Sequence, residues 1–266
     1  MNKYEDKSLA NRMKVYEAVP KIFLTLGVPK VIRLDMRAGH TFCKKFQRPF
    51  DPIFGECMIA ATIALCEQIP GAMAGYTQSD EISIIMNDIN KDGTFSCFFD
   101  GNVEKITSIS ASICSIAFNK KYFELVSKME NDKIYSKNLW SALFDSRVFC
   151  LPNVTELYNY LLWRQQDAER NSINMVGFAN FSQKEMDKKN VKEVMDMLVL
   201  QKGINWNDFP TRYKRGAIVV KEKYLKDNTK YNVTVERSRW AEQEMPIVTI
   251  PYTTQLYNKE FDNKKG

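Results

Sequence analysis

The stretch at 75–88 reads GYTQSDEISIIMND. Apolar-rich runs at 72–77 and 82–86 flank a polar knot of Gln78, Ser79, Asp80 and Glu81, and this pattern predicts two strands joined by a turn. Ser and Asp suit a turn because their side chains bond neighbouring backbone. A short hairpin usually carries Asn-Gly or Asp-Gly at that point; here there is no glycine between the runs, and two acids stand side by side. Upstream, PKVIRLD predicts a strand ending at Asp35, followed by a polar loop through Asp51 and a helix over 54–68. Before that strand a helix is expected over 8–25. Downstream, a helical pattern begins near Asn102 with VEKITSISASICSIAFN, and LWSALFDSRVFCL reads as one or two strands. The order β-α-β-β-α-β is the ferredoxin-like split unit, an α+β class in which the end of the first strand and the central hairpin turn can lie side by side.

Beyond Pro152 the pattern turns to helices over 154–178 and 182–202 and then to a strand, RGAIVVKE. No repeat or low-complexity linker separates this part from the rest. The expectation is one integrated catalytic domain over 1–266, with a core at 28–150 and a C-terminal extension at 151–266 packed on it.

With 266 residues, 44% hydrophobic and 26% charged, the chain can bury a substantial core. No apolar run reaches the ~18 residues of a membrane span, and MNKYEDKSLANRMK at the start is too charged for a signal peptide. A cytoplasmic protein with no membrane partner is expected. Six cysteines at 43, 57, 66, 97, 114 and 150 form no C-x-x-C pair and sit mostly among apolar neighbours, as free thiols in a reducing compartment do. With a single histidine, His40, no His-pair metal motif exists. A net charge of +6 permits an anionic partner without demonstrating one.

The predicted fold brings Asp35, at a strand end, near Asp80, in the hairpin turn. Two close carboxylates raise each other's pKa unless they share a cation, and Mg²⁺ takes oxygen ligands while holding phosphates in its remaining positions. Such a site serves phosphoryl or nucleotidyl transfer. Spacing alone equally fits a strand cap and an Asx-turn.

Five ordered blocks resolve the choice: RLDMRAGHTF at 33–42, RPFD at 48–51, YTQSDE at 76–81, YLLWRQQDAERNSI at 160–173 and YKRGAIVV at 213–220. Together they resemble the motifs of the tRNA(His) guanylyltransferase family, and the D-A-x-R-N form of the fourth is closer to its bacterial, archaeal and viral "like" proteins. The resemblance implies a core like the palm of polymerases and an enzyme that adds nucleotides to the 5′ end of tRNA. Implied with it are two Mg²⁺ ions, GTP and ATP as substrates, tRNA as partner, and a homotetramer. By this resemblance Asp35 and Asp80 bind metal with the backbone carbonyl of Met36, which stands where the family has glycine. Asp35, Met36, Arg37, Ala38, Gly39 and His40 match the loop that holds the triphosphate; Ser79 accompanies Asp80, and Arg48 aligns with a family cation that neutralises phosphate. Catalysis falls to Asp35 and Asp80, with Glu81 beside them, which either faces solvent or positions a metal-bound water. Arg164 and Asn171, on the helix of the fourth block, and Lys214 with Arg215 are expected to contact RNA. Each has a plain alternative: a solvated helix face or surface charge, and for His40 a loop histidine. Trp163 reads as core rather than as a base-stacking platform. Glu169 replaces a histidine of the eukaryotic enzymes, and an acid that repels phosphate suggests less dependence on tRNA(His) and more on templated repair of 5′-truncated tRNAs.

In the implied chemistry a 5′-monophosphate is first adenylylated by ATP, or a 5′-triphosphate is used directly, and the 3′-hydroxyl of GTP then attacks. Two other classes carry the same acids: another palm-type enzyme such as a nucleotide cyclase, which lacks the WRQQDAERN helix, and an inactive RNA-binding relative, against which both aspartates speak.

Overall fold

The hairpin forms where the alternation places it, but more tightly. In the computed structural model, which describes residues 8–19, 21–90, 92–129, 133–228 and 233–258, the first elements are α1 (Leu9–Ala18), β1 (Lys30–Met36), α2 (Gly39–Phe42), α3 (Pro52–Gln68), β2 (Ala72–Gln78) and β3 (Glu81–Met86). Gln78 and Glu81 face each other as the last pair of the β2–β3 ladder, so the turn is Ser79 and Asp80 alone. Without a glycine, Ser79 itself takes the left-handed conformation, with φ 50°.

Next come α4 (Val103–Val126), β4 (Phe144–Cys150), α5 (Val154–Asn180), α6 (Gln183–Met186), α7 (Val191–Lys202), α8 (Thr211–Lys214), β5 (Ala217–Asn228), β6 (Val233–Glu244) and α9 (Ile250–Asn258). Side-chain caps start the long helices. Asp51 accepts from the Phe54 amide at 2.9 Å with Pro52 in the first turn, Asn102 accepts from Lys105, and Asn153 from Glu156.

All neighbouring strands are antiparallel in one sheet of order β4-β1-β3-β2-β5-β6. Its first four strands have the ferredoxin-like order. Alternation along β1 sends Ile32, Leu34 and Met36 to one face, where α3 and α4 cover them, and Val31 to the other, where it meets α5 and α9 with Tyr76, Ile85 and Tyr160. Gly75 lets α3 lie close on β2: a Cβ there would stand 2.5 Å from Thr62 Cγ2 and 2.8 Å from Cys66 Sγ. At the opposite end of the sheet Lys30 and Asp88 form a fully buried pair at 2.7 Å, with Asp88 also accepting from the Gly27 amide.

Several expectations change. The helix expected over 8–25 stops at Ala18, because the proline at position 20 in the sequence opposes helix at its approach. The single helix expected over 182–202 is two, α6 and α7, since Ser182 with Glu185 and Asn190 with Glu193 each form a capping box and Lys188 between them has φ 58°. Of LWSALFDSRVFCL only Phe144–Cys150 is strand. Neither β6 nor α9 was anticipated; β6 pairs with all twelve residues of β5.

Candidate active site

Asp35 and Asp80 meet at the end of the sheet. On β1, Arg33 and Asp35 share the face that α5 covers, and in register Asp35 lies between Glu81 of β3 and Asp145 of β4. The Met36 amide donates to the Asp80 carbonyl at 3.1 Å, which locks the hairpin turn against the strand end. Ser79 Oγ donates to Asp80 Oδ1 at 3.2 Å. Burial raises the Asp35 pKa above the usual carboxylate range, and the charges of Asp80 and Asp145 raise it further, against the opposing pull of Arg33 and Arg147.

The connection from β1 to α2 folds under this pair. Ala38 is left-handed (φ 56°), and the amides of Ala38, Gly39 and His40 have no acceptor among the described residues, so three successive N–H groups are open to an anion. Arg37, exposed, has its amide tied to the Leu143 carbonyl. Gly39 leaves room for the turn acid: a Cβ on it would lie 2.1 Å from Asp80 Oδ2 and push that carboxylate aside.

Beside Asp80 opens a cavity of about 740 Å³. Gly39, His40, Arg48, Ser79, Asp80 and Asn171 line it, so the structure gathers six of the residues expected from the sequence. Its depth is apolar: Phe46, Phe54 and Met58 from one side, Met175 and Phe178 of α5 from another, and Tyr213 stacked on Phe50 with ring centroids 4.9 Å apart. Cys43 is at the wall with its thiol pushed up to about 12, by burial first and then by Asp80 and Asp51, which keeps it protonated.

Other expected residues turn inward. Glu81 is 4% exposed rather than solvent-facing; its Oε2 accepts from Arg33 at 2.7 Å and from Arg164 at 2.9 Å. Arg164 is therefore buried and not a free RNA contact. Lys214 is buried as well, its Nζ donating to the Asn207 carbonyl and lying over the Trp206 ring, because the short α8 points it into the α5–α7 side of the fold. Arg215 binds Glu169 at 2.7 Å, so the acid read as repelling phosphate is already neutralised by an arginine. Trp163, read as core, is half exposed. Sequence reasoning passed over Asp145, for which only the strand register gives a signal, and the aromatic pocket wall, whose Phe50 and Tyr213 stand inside quoted blocks.

Among the described residues no cluster of three or more His, Cys, Asp or Glu side chains could hold a metal. The two carboxylates do fit Mg²⁺: the donors are oxygen only, the Asp35 pKa is held up by burial and by the charge of Asp80, which a cation would offset, and this ion normally completes its shell with backbone, water and substrate phosphate.

Comparison with known proteins adds the following. The family model described as tRNAHis guanylyltransferase matches residues 10–152. An uncharacterised protein of Acanthamoeba polyphaga mimivirus is 31% identical over 242 residues, 86% of this chain and 82% of its own length. The tRNA(His) guanylyltransferase of Schizosaccharomyces pombe is 27% identical over 231 residues, 81% of either chain. In structure, a bacterial tRNA(His) guanylyltransferase-like protein in complex with ATP superposes with a TM-score of 0.81 at 37% identity, covering 94% of this chain and 99% of that one. The GTP complex of a bacterial like protein gives 0.75 at 34% identity, covering 94% and 100%.

Proposed function

The chain belongs to the tRNAHis guanylyltransferase family, and on that premise we propose that it is a nucleotidyltransferase that adds nucleotides, guanylate first among them, to the 5′ end of tRNA. The observation that carries the proposal is the meeting of Asp35 with Asp80, which lines an apolar cavity, beside three open backbone amides. A purine base fits the Phe50, Tyr213 and Met175 walls, and a triphosphate fits the amides of Ala38, Gly39 and His40 with Arg48 near. The bacterial like proteins carry ATP and GTP, and both nucleotides are proposed as substrates here.

Asp35 and Asp80, with the Met36 carbonyl, would hold Mg²⁺, which supplies acidification of a hydroxyl and neutralisation of the leaving phosphate when bound. The chain's own groups do the rest. Gly39 leaves room for Asp80 to keep its place, and the Met36–Asp80 bond fixes the spacing of the two acids. Glu81 is a positioning residue: by binding Arg33 and Arg164 it clamps β1, β3 and α5 behind Asp35. The 3′-hydroxyl of the nucleotide attacks the 5′ phosphorus of the RNA and expels AMP or pyrophosphate. A 5′-monophosphate must be adenylylated first, since attack on its phosphorus would otherwise have to expel hydroxide, a poor leaving group, in place of AMP.

The extension is proposed to belong to the same catalytic unit, because Arg212, Tyr213 and Gly216 wall the cavity. Templated repair of 5′-truncated tRNAs is proposed beside tRNA(His) guanylylation, on the strength of the bacterial-like motif. A homotetramer in the cytoplasm is proposed with it; for the described residues, no helix is long and apolar enough to cross a membrane.

The test is transfer of labelled nucleotide to 5′-monophosphorylated tRNA(His) and to 5′-truncated tRNAs, with Mg²⁺ present or chelated. Product requiring both Mg²⁺ and ATP is expected, and it should vanish in Asp35→Asn and Asp80→Asn proteins that remain folded. Full activity of either variant would remove the assignment.

A further inference from the structure

The two carboxylates border different surfaces. Asp80 lines the cavity and Asp35 does not; instead Asp35 continues into a strip that runs across β1 to the edge strand β4. Arg33 stands opposite Arg147 in that register, one alternation from the Asp35–Asp145 pair and on the same face. Arg147 is exposed and, among the described residues, its ion pair is with Asp145 at 3.2 Å, a surface pair that costs little to open.

Trp163 of α5 borders this strip. Its ring is covered by the Arg164 guanidinium, whose carbon lies 3.5 Å from the centroid, and met by Tyr160 in an edge contact. The Arg33 guanidinium stands 5.8 Å from the same centroid. Even so, Trp163 is 51% exposed. An indole backed this closely stays half exposed only if its remaining surface looks into solvent. The backing is rigid, since Arg164 is buried and bound to Glu81 and Asp167, so a flat partner could stack on the ring with little loss of side-chain freedom. An aromatic ring flanked by guanidinium groups is the chemistry that binds single-stranded nucleic acid, by base stacking and phosphate neutralisation together.

We propose that Trp163 is the stacking platform for the first base at the 5′ end of the RNA, with Arg33 and Arg147 facing its phosphates; the proposal rests on the nucleotidyl-transfer reading. The carboxylate pair then divides two substrates, the mononucleotide in the cavity on the Asp80 side and the RNA end on the Asp35 side. None of Trp163, Arg33 and Arg147 lines the cavity, which fits this division of labour.

The test uses an RNA hairpin with a 5′-monophosphate and 2-aminopurine as its first base, whose fluorescence is quenched on stacking. Quenching by the wild-type protein is expected. In Trp163→Leu the quenching should disappear and the Kd for the hairpin should rise about tenfold, as loss of one base–aromatic stack costs, with the rate at saturating RNA less affected than KM. Trp163→Phe should retain most of both signals, and if the leucine variant does not fold, this variant and the wild-type quench decide. No quenching by wild type, or an unchanged Kd in a folded Trp163→Leu, overturns the platform. Quenching of 2-aminopurine riboside triphosphate alone, without that of the hairpin, overturns it too by giving the ring to the nucleotide. The transfer assay separates the two ideas: a wild-type protein that quenches the hairpin through Trp163 yet adds no nucleotide sinks the function and leaves the platform.

Discussion

At the scale of single residues, Asp35 and Gly39 separate activity from stability. The Asp35 pKa is raised above its ordinary 3.8 by burial and by Asp80. A carboxyl raised on folding contributes stability that is complete below pH 3.8 and is lost as pH climbs through the raised value. At neutral pH the ionised group therefore works against the metal-free fold. Asp35→Asn should melt at a higher temperature than wild type without Mg²⁺, lose the stabilisation that added Mg²⁺ gives wild type, and slow nucleotide addition by on the order of 100-fold or more. Paired melting curves with and without the ion read this directly. Gly39→Ala should do the reverse of a typical core change. Its Cβ displaces the Asp80 carboxylate, and a shift of ~1 Å in such a ligand can cost on the order of 100-fold in rate, while the melting temperature barely moves. The acids themselves were legible in the sequence. Their glycine neighbour was legible only through the family motif, since nothing in a linear pattern says that a loop backbone will pass against a turn carboxylate.

Among elements, the clamp of β1, β3 and α5 decides stability near the site. Glu81→Ala would leave the buried Arg164 guanidinium and the partly exposed Arg33 without the acid they share, which should cost ~3 kcal/mol in chemical denaturation. Periodicity foretold the long helices and the first four strands because their apolar faces are strong and their caps local. It failed where the deciding partner is distant in sequence. Glu81 reads as a polar turn residue until β1 and α5 bring Arg33 and Arg164 to it, and Trp163 reads as core until its exposed side is seen. The fifth block tells the same story for Lys214. Lys214→Ala should lower stability by ~1–3 kcal/mol through the unsatisfied Asn207 carbonyl and leave the salt dependence of RNA binding unchanged. Arg147→Ala, on the exposed strip, should reduce that salt slope by about one if it neutralises one phosphate.

For the whole molecule, the six-stranded sheet is uneven. β2 supports β5 only as far as Val220, and past Lys221 the strands β5 and β6 pair with each other alone. Residues 222–228 and 233–239 thus form a two-stranded ribbon that runs roughly 23 Å at ~3.3 Å per residue beyond the sheet, carrying Lys223, Lys226, Arg237 and exposed Leu225. Its root is Gly216 and Ala217, both in the cavity wall, and Gly216 has φ 85° with Thr77 backbone so near that a Cβ would stand 2.5 Å from it. In mechanical terms the ribbon is a lever with a long outer arm and a short inner one, and its fulcrum is the seam between β5 and β2. A sideways load on the outer arm would reach Gly216 and Ala217 as a smaller and stronger displacement, so the shape of the cavity wall is tied to the position of the ribbon.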